Sequence, residues 1–481
     1  MIFNSLIFII TFPIIILLYY SMPEKVKNIF LFLISLGFYA CFKFSYVFLL
    51  LAVIVITYMS ALAMEGKEKS YKKRILTIDV IAAVSLLFVF KYTNMFLESL
   101  NFLSGRLGIG FPDSRLNLIL PVGISFYTFV ALGYLIDVYR GRVEAERNFV
   151  VLGTFVAFFP PLLSGPIERA ENLLKQVKSK KIFSQDRILN GTCRMLWGYF
   201  QKVIIADRIA VIVSAIYDND EKYTGIYVLM ATVLYAFQIY CDFAGYSNLA
   251  IGASGILGFE LKDNFNVPYK AVNISDFWDR WHISLSTWLR DYVYISLGGN
   301  RKGKLRKYRN LLITFLISGI WHGANWTFVV WGVLHGLYSV AHSIMAERWE
   351  AKEGKLGNGL KMIGTFLMVD FAWLFFRANS LEHAFRLIGK MVTDLNVLSL
   401  LNREMAISMG LEIIDILVLV VALFILIVVD FSKQRVNYCE KIVKAPMIIR
   451  WVVFYVVIFV ILIFGYYGPG FEAGQFIYAQ F

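Results

Sequence analysis

The stretch FLISGIWHGANWTFVVWGVLHG, residues 315–336, sets two histidines, three tryptophans and four glycines into a run otherwise suited to lipid. Its spacing reads as helix. Ser318 and His322 are four residues apart and Asn325 is three further on. The three share one face if the helix continues through Gly319 and Gly323. Those glycines equally permit close packing or a break. A solitary histidine on an apolar face is most often a satisfied core residue. An ionisable group at membrane depth is also, by default, a functional candidate, because lipid penalises it.

The rest of the chain shows why the lipid reading is the right one. Of 481 residues, 58% are hydrophobic, more than soluble domains carry. Apolar runs recur at the length of a membrane span. They are continuous, not the short alternating segments of a membrane β-barrel. The expected fold class is therefore an all-α integral membrane protein, and we read residues 1–481 as one multi-pass membrane domain. Candidate spans fall near 2–20, 27–44, 46–64, 75–92, 118–139, 149–163, 188–216 (whole or broken), 224–241, 246–258, 311–321, 325–343, 360–376, 411–430 and 451–467. The runs at 149–163, 246–258 and 311–321 are short enough to be re-entrant or half-spanning, which is tolerated where protein or a cavity covers them.

The net charge of +13 does not indicate nucleic acid. The basic residues lie in short loops between apolar runs, as in cytoplasmic loops under the positive-inside rule, where they can also meet anionic lipid headgroups. Segments 23–27, 67–74, 169–187, 301–309 and 433–450 are placed on the cytoplasmic side by this rule, and both termini outside. The segment RKGKLRKYR, 301–309, has six basic residues in nine. The N-terminal run MIFNSLIFIITFPIIILLYY lacks a basic n-region and reads as a retained first helix. Cys41, Cys193, Cys241 and Cys439 form no CxxC pair, so neither a disulfide framework nor a metal site is supported.

Polar groups concentrate between Phe237 and Gly336. FQIYCDFAGYSNLAIG (237–252) carries Gln238, Asp242, Tyr246, Ser247 and Asn248. ISDFWDRWHISLSTWLRDYVYISLGGN (274–300) carries Trp281, His282, Ser284, Trp288 and Arg290. Burying such groups costs several kcal/mol each unless they are paired or wet, so we expect them to line a polar cavity or tunnel. Asp242 follows an apolar run and precedes Gly245. It reads as a helix cap or an ion-pair partner of an arginine, or else as part of a substrate site. Trp281 and Trp288, seven apart, are expected on one helical face as interface anchors. Trp321 and Trp326 read as packing or interface residues. His335 and His342 read as structural, and His383 sits in an amphipathic helix. A neutral imidazole can act as general base for a hydroxyl nucleophile. No nucleophile elbow, HExxH motif or Walker loop accompanies His322.

The segments QIYCDFAGYSNLAIG, NFNVPYKAVNISDFWDRWHISLSTWLRDYVYISLGGN and SGIWHGANWTFVVWGVLHG together resemble the membrane-bound O-acyltransferase (MBOAT) family. FFPPLLSGPIERA (158–170) and DFAWLFFRANSLEHAF (370–385) resemble its alginate O-acetyltransferase branch. The resemblance covers essentially the whole chain, with core motifs at 118–343 and C-terminal helices and tail at 360–481. It implies a ring of about eleven transmembrane helices with re-entrant helices around a central funnel or tunnel. It implies that His322 is the essential histidine and His282 the second motif histidine. It implies transfer of an acyl group, usually acetyl, from a cytoplasmic donor such as acetyl-CoA to an extracytoplasmic polysaccharide at the cell membrane, completed by a partner resembling an SGNH hydrolase. Substrate contacts then fall to Gln238, Asp242, Tyr246, Ser247, Asn248, Trp281, Ser284, Trp288, Arg290, Ser318, Trp321 and Asn325. The C-terminal segment GPGFEAGQFIYAQF (468–481) is similar to the C-terminal tyrosine motif of related export systems. Tyr478 is accordingly expected to accept the acyl group transiently, activated by His322. Peptidoglycan O-acetylation and teichoic-acid D-alanylation are the neighbouring activities. A polysaccharide transporter or a non-catalytic scaffold are the readings from other classes. Against transport, no inverted-repeat symmetry is visible.

Overall fold

A computed structural model describes residues 3, 5–107, 119–348, 355–402, 404, 408–433 and 435–467. Among these residues every regular element is helical. Among the described residues seven helices are long and apolar enough to cross a membrane: Phe44–Met64, Lys69–Arg106, Gly225–Ile256, Trp326–Glu347, Gly357–Arg377, Ile413–Ser432 and Met447–Phe464. Leu6–Ser21 and Ile124–Tyr139 are apolar but shorter. Ile413–Ser432 and Met447–Phe464 keep most side chains outward; Ile448 and Leu417, for example, are exposed. Apolar groups so displayed are favourable only against lipid.

The chain divides into two compact units, one drawn from within Met1–Ile188 and Ala253–Lys262, the other from within Leu189–Gly252 and Asp263–Gln480. In the first, Ser5 and Asn148 cap helices by accepting backbone N–H bonds, as short polar side chains do at N-caps. The expected run 149–163 is two short helices, Phe149–Ala157 and Phe159–Leu162. Pro160 and Pro161 supply no N–H, so they sit in the first turn of the second. The Phe159 N–H is satisfied instead by the Ser35 hydroxyl at 3.1 Å.

Several expected boundaries are corrected. The span expected at 75–92 extends to Lys69–Arg106. Lys91, Asn94 and Glu98 interrupt its hydropathy but not its helix, which loosens to a π turn at Phe88–Tyr92. The spans expected separately at 224–241 and 246–258 are one helix, Gly225–Ile256. Gly245 does not break it. A Cβ there would meet the Gly198 carbonyl oxygen at 2.8 Å, so the missing side chain lets two helices touch. The half-span expected at 311–321 is a 19-residue helix, Lys304–His322, which begins inside the basic segment.

The second unit is centred on aromatic rings. Trp281, Trp331 and Trp373 are fully buried. Trp373 packs at 4.9 Å from Trp281 and 5.8 Å from Trp331, between ring centroids. Trp281 is therefore a core residue and not the expected interface anchor. Nor does it share a helical face with Trp288. Trp281 lies in the turn before the Ile283–Leu289 helix, and Trp288 lies within that helix, beside Tyr292.

Candidate active site

His322 is the last residue of the Lys304–His322 helix. Gly323 follows in extended conformation, and the Trp326–Arg348 helix returns antiparallel. The two helices touch through glycine. A Cβ on Gly319 would stand 2.3 Å from the Phe328 carbonyl oxygen, and one on Gly332 would stand 2.5 Å from that of Phe315. At the basic end Lys304 and Lys307 pair with Glu347 at 2.8 and 3.4 Å. His322 is buried, with Trp331 edge-on at 4.9 Å and Phe376 at 5.3 Å. Asn325 does not share the face of Ser318 and His322. The helix has ended, and Asn325 instead caps the next one by accepting the Thr327 N–H at 3.0 Å. Its Nδ2 donates to the Asn379 carbonyl.

His282 comes to this place from a different part of the chain. It precedes the Ile283–Leu289 helix in left-handed conformation, φ 43° and ψ 53°, which non-glycine residues rarely adopt. Val267, at the far end of the same loop, has φ 48°, and a β-branched side chain makes that costlier. The loop is held in this shape by a double tie. The Asn264 carbonyl accepts the Ile283 N–H at 3.0 Å, and the Arg280 carbonyl accepts the Asn266 N–H at 2.9 Å. The outcome is that the His282 and His322 rings lie 6.5 Å apart between centroids. Trp321 lies 6.0 Å from His282, and Phe243 is edge-on to it at 4.6 Å. His282 is wholly buried, and burial pushes its pKa down to about 3, so it is neutral at ordinary pH.

The polar residues of the Gly225–Ile256 helix take different duties. Asp242 is mid-helix and is not a cap. Its Oδ1 meets the Lys202 ammonium at 2.5 Å, and the same ammonium meets Asp207 at 2.8 Å. The partner is a lysine, not the arginine expected. All three groups are buried. Lys202 and Asp207 were missed in the sequence, although an ionisable residue inside YFQKVIIAD was the signal. Asn248 accepts from Arg194 Nε at 3.1 Å and donates to Gln201 at 2.8 Å. Arg194 also pairs with Asp263. Ser247 and Asn248 line a cavity of about 680 Å³, together with Arg194, Gln201 and Asn264. Gln238 and Tyr246 are buried and do not line it.

A second cavity, of about 530 Å³, is lined by Ser318, Arg290, Lys307, His342 and Ser343 among others. The hydroxyls of Ser318 and Ser343 and the indole N–H of Trp278, all at its wall, are buried without a hydrogen-bond partner among the described residues. Arg290 is turned to Asp291 at 3.0 Å. Ser284 faces the other way, its hydroxyl 2.9 Å from Asn264 Oδ1. His335 is fully buried among Phe277, Trp278 and Trp331, and neither ring nitrogen finds a partner among the described residues. His383 accepts the Asn379 N–H at 3.3 Å. Tyr478 lies outside the described residues.

Two buried imidazoles, in a unit that also holds two cavities with a few polar groups set in mostly apolar walls, suit transfer chemistry better than permeation, and known proteins agree. The model of the membrane-bound O-acyltransferase family matches residues 34–381. A protein of Azotobacter vinelandii described as a probable alginate O-acetylase is 39% identical over 84% of this chain and 82% of its own length. The peptidoglycan O-acetyltransferase of Helicobacter pylori is 37% identical over 83% of this chain and 81% of its own. The teichoic acid D-alanyltransferase of Bacillus subtilis is 30% identical over 56% of this chain and 71% of its own. The chain belongs to the membrane-bound O-acyltransferase family and is a multi-pass membrane O-acyltransferase.

Proposed function

We propose that the protein moves an acetyl group from acetyl-CoA at the cytoplasmic face of the cell membrane for O-acetylation of an extracytoplasmic polysaccharide of the alginate type. The observation that carries this reading is the pair of buried imidazoles, 6.5 Å apart, in a unit that also holds two large cavities with polar groups set in mostly apolar walls. In this reading about eleven transmembrane helices ring a central funnel, and both termini lie outside.

The donor enters the cavity lined by Arg290 and Lys307, whose positive charges suit the phosphates of CoA. The cytoplasmic placing of the 301–309 segment supports that side. His322 acts as general base. Its ring nitrogen takes the proton of an acceptor hydroxyl, the hydroxyl oxygen bonds to the thioester carbonyl carbon, and the carbon–sulfur bond breaks. The CoA thiolate leaves and takes up the proton from the imidazolium. The first acceptor in this scheme is the phenol of Tyr478, which holds the acetyl as an ester. An extracytoplasmic partner resembling an SGNH hydrolase then passes it to the polysaccharide. Holding thioester and hydroxyl together in a closed site supplies much of the acceleration. In this reading the substrate contacts are Ser247 and Asn248, which line the larger cavity, Ser318, which lines the smaller, and Trp321 beside His282.

Relatives named for alginate and for peptidoglycan match the chain to similar extents, while the D-alanyltransferase covers less of it. That ordering favours acetyl over D-alanyl. The test is deletion of the gene and complementation with wild type, His322→Ala and Tyr478→Phe, reading polymer O-acetyl content by NMR. Loss in both variants is expected. Full acetylation with Tyr478→Phe refutes the tyrosyl ester. Full acetylation with His322→Ala makes the protein a scaffold. With purified protein, intact labelled acetyl-CoA alongside polymer flux would mark a transporter.

A further inference from the structure

Asn264 is 1% exposed and lies in the loop before His282. Its side chain makes four contacts. Oδ1 is 3.2 Å from the Ser284 backbone nitrogen, 2.9 Å from the Ser284 hydroxyl and 3.1 Å from His282 Nδ1. Nδ2 donates to the Ser247 hydroxyl at 3.3 Å. The first contact decides the others. A backbone N–H can only donate, so the atom facing Ser284 N must be the amide oxygen, which removes the ambiguity of amide orientation. An amide oxygen can only accept, so His282 Nδ1 must carry the hydrogen. In the neutral imidazole the lone pair is then on Nε2.

We infer that Asn264 is a positioning residue for acyl transfer, fixing the tautomer and ring orientation of His282 so that Nε2 is the basic or accepting nitrogen. The inference rests on the reading that His282 takes part in the transfer. Three features of the site converge on it. The left-handed backbone of His282 places Ile283 N and Ser284 N where both bond to Asn264, one to its carbonyl and one to its side chain. The Ser247 contact ties the same side chain to the Gly225–Ile256 helix. Asn264 also lines the 680 Å³ cavity, so a molecule in that cavity touches the residue that orients His282. Orienting partners of this sort fix the tautomer and ring orientation with which a histidine presents its nitrogen.

The test compares Asn264→Ala, Asn264→Asp and His282→Ala in the purified full-length protein, by steady-state acetyl-CoA turnover across pH. Asn264→Ala is expected to lower kcat about 10- to 100-fold with KM for acetyl-CoA within about twofold, because the variant leaves donor binding alone. Asn264→Asp accepts from the same three donors, so it should recover much of kcat near neutral pH or above. Its carboxylate favours the imidazolium, so the acid limb of kcat/KM should move to higher pH. Wild-type kcat in Asn264→Ala overturns the inference. So does an Asn264→Asp profile with its acid limb unmoved, which marks a merely structural role. Should Asn264→Ala fail to fold, the Asn264→Asp profile decides alone. Wild-type turnover in His282→Ala is a separate result and removes the reading on which the inference stands.

Discussion

A single methyl group at Gly319 should disable the His322 hairpin. The alanine Cβ would begin 2.3 Å from the Phe328 carbonyl oxygen and 3.0 Å from Gly332 Cα, whereas ordinary contact starts at 3.4 Å. Both obstacles are backbone, so no rotamer relieves them, and the two helices must part by about 1 Å. Overpacking of this kind costs ~1–3 kcal/mol, offset by ~0.5–1 kcal/mol because alanine favours helix over glycine. The net loss in stability is then about 0–2.5 kcal/mol. The activity loss should be larger. His322 is three residues further along the helix that must move, and under its proposed role as general base a displacement of ~1 Å costs roughly 100-fold. Gly332→Ala meets the Phe315 carbonyl at 2.5 Å and should behave alike, while Gly336→Ala first meets the Leu312 Cδ2 methyl at 3.1 Å, which can turn aside. Thermal unfolding in detergent and acetyl-CoA turnover on the three variants measure both effects. Gly319→Ala and Gly332→Ala proteins as stable and as active as Gly336→Ala would refute the close-contact reasoning.

Lys202→Met should destabilise by ~3–5 kcal/mol, since it strands the buried carboxylates of Asp207 and Asp242. Adding Asp207→Asn and Asp242→Asn should restore much of the unfolding temperature, and no recovery would mean the ion cluster is not the cause. Asp220 is held by Arg386 through Nε at 2.8 Å and Nη2 at 3.0 Å. Those bonds keep its pKa below the ordinary 3.8, so the carboxylate stabilises the fold above that value and ceases to as pH falls through the folded one. Asp220→Asn should thus unfold at lower temperature than wild type from pH 5 to 8, with the gap closing only below about pH 4. A gap that closes on the alkaline side would reverse the assigned sign.

Patterns within one continuous helix survived translation into structure, and patterns that crossed a helix end or needed a distant partner did not. In the 315–336 stretch the close contact at Gly319 and the break at Gly323 were both legible, but the face expected to join Asn325 to Ser318 and His322 was not, because the helix ends at His322. Helix ends elsewhere were less legible. Gly245 falls between two spans expected from the sequence, yet it and Gly252 are places where another helix presses in, Gly252 against the Gly191 carbonyl at 2.6 Å from a would-be Cβ. Trp281 and Trp288 keep the seven-residue spacing of a helical face, but the left-handed turn at His282 intervenes. Asn264 was invisible for a plainer reason. It acts 18 residues away, past two short helices and the irregular turns between them, and no periodicity connects a loop amide to the histidine it faces.

The His322 hairpin also bears on how the protein is made. Its basic end is closed by Lys307 and Glu347, 40 residues apart, and its tip by glycines only 13 apart, so it can assemble from local sequence alone. His282 and the Gly225–Ile256 helix have by then left the ribosome. A chain inserted in that order receives its last aromatic wall, Trp373 and Phe376, only afterwards. Until that segment arrives, the His322 ring lacks its Phe376 neighbour, so its surroundings are completed by sequence that lies more than 50 residues downstream.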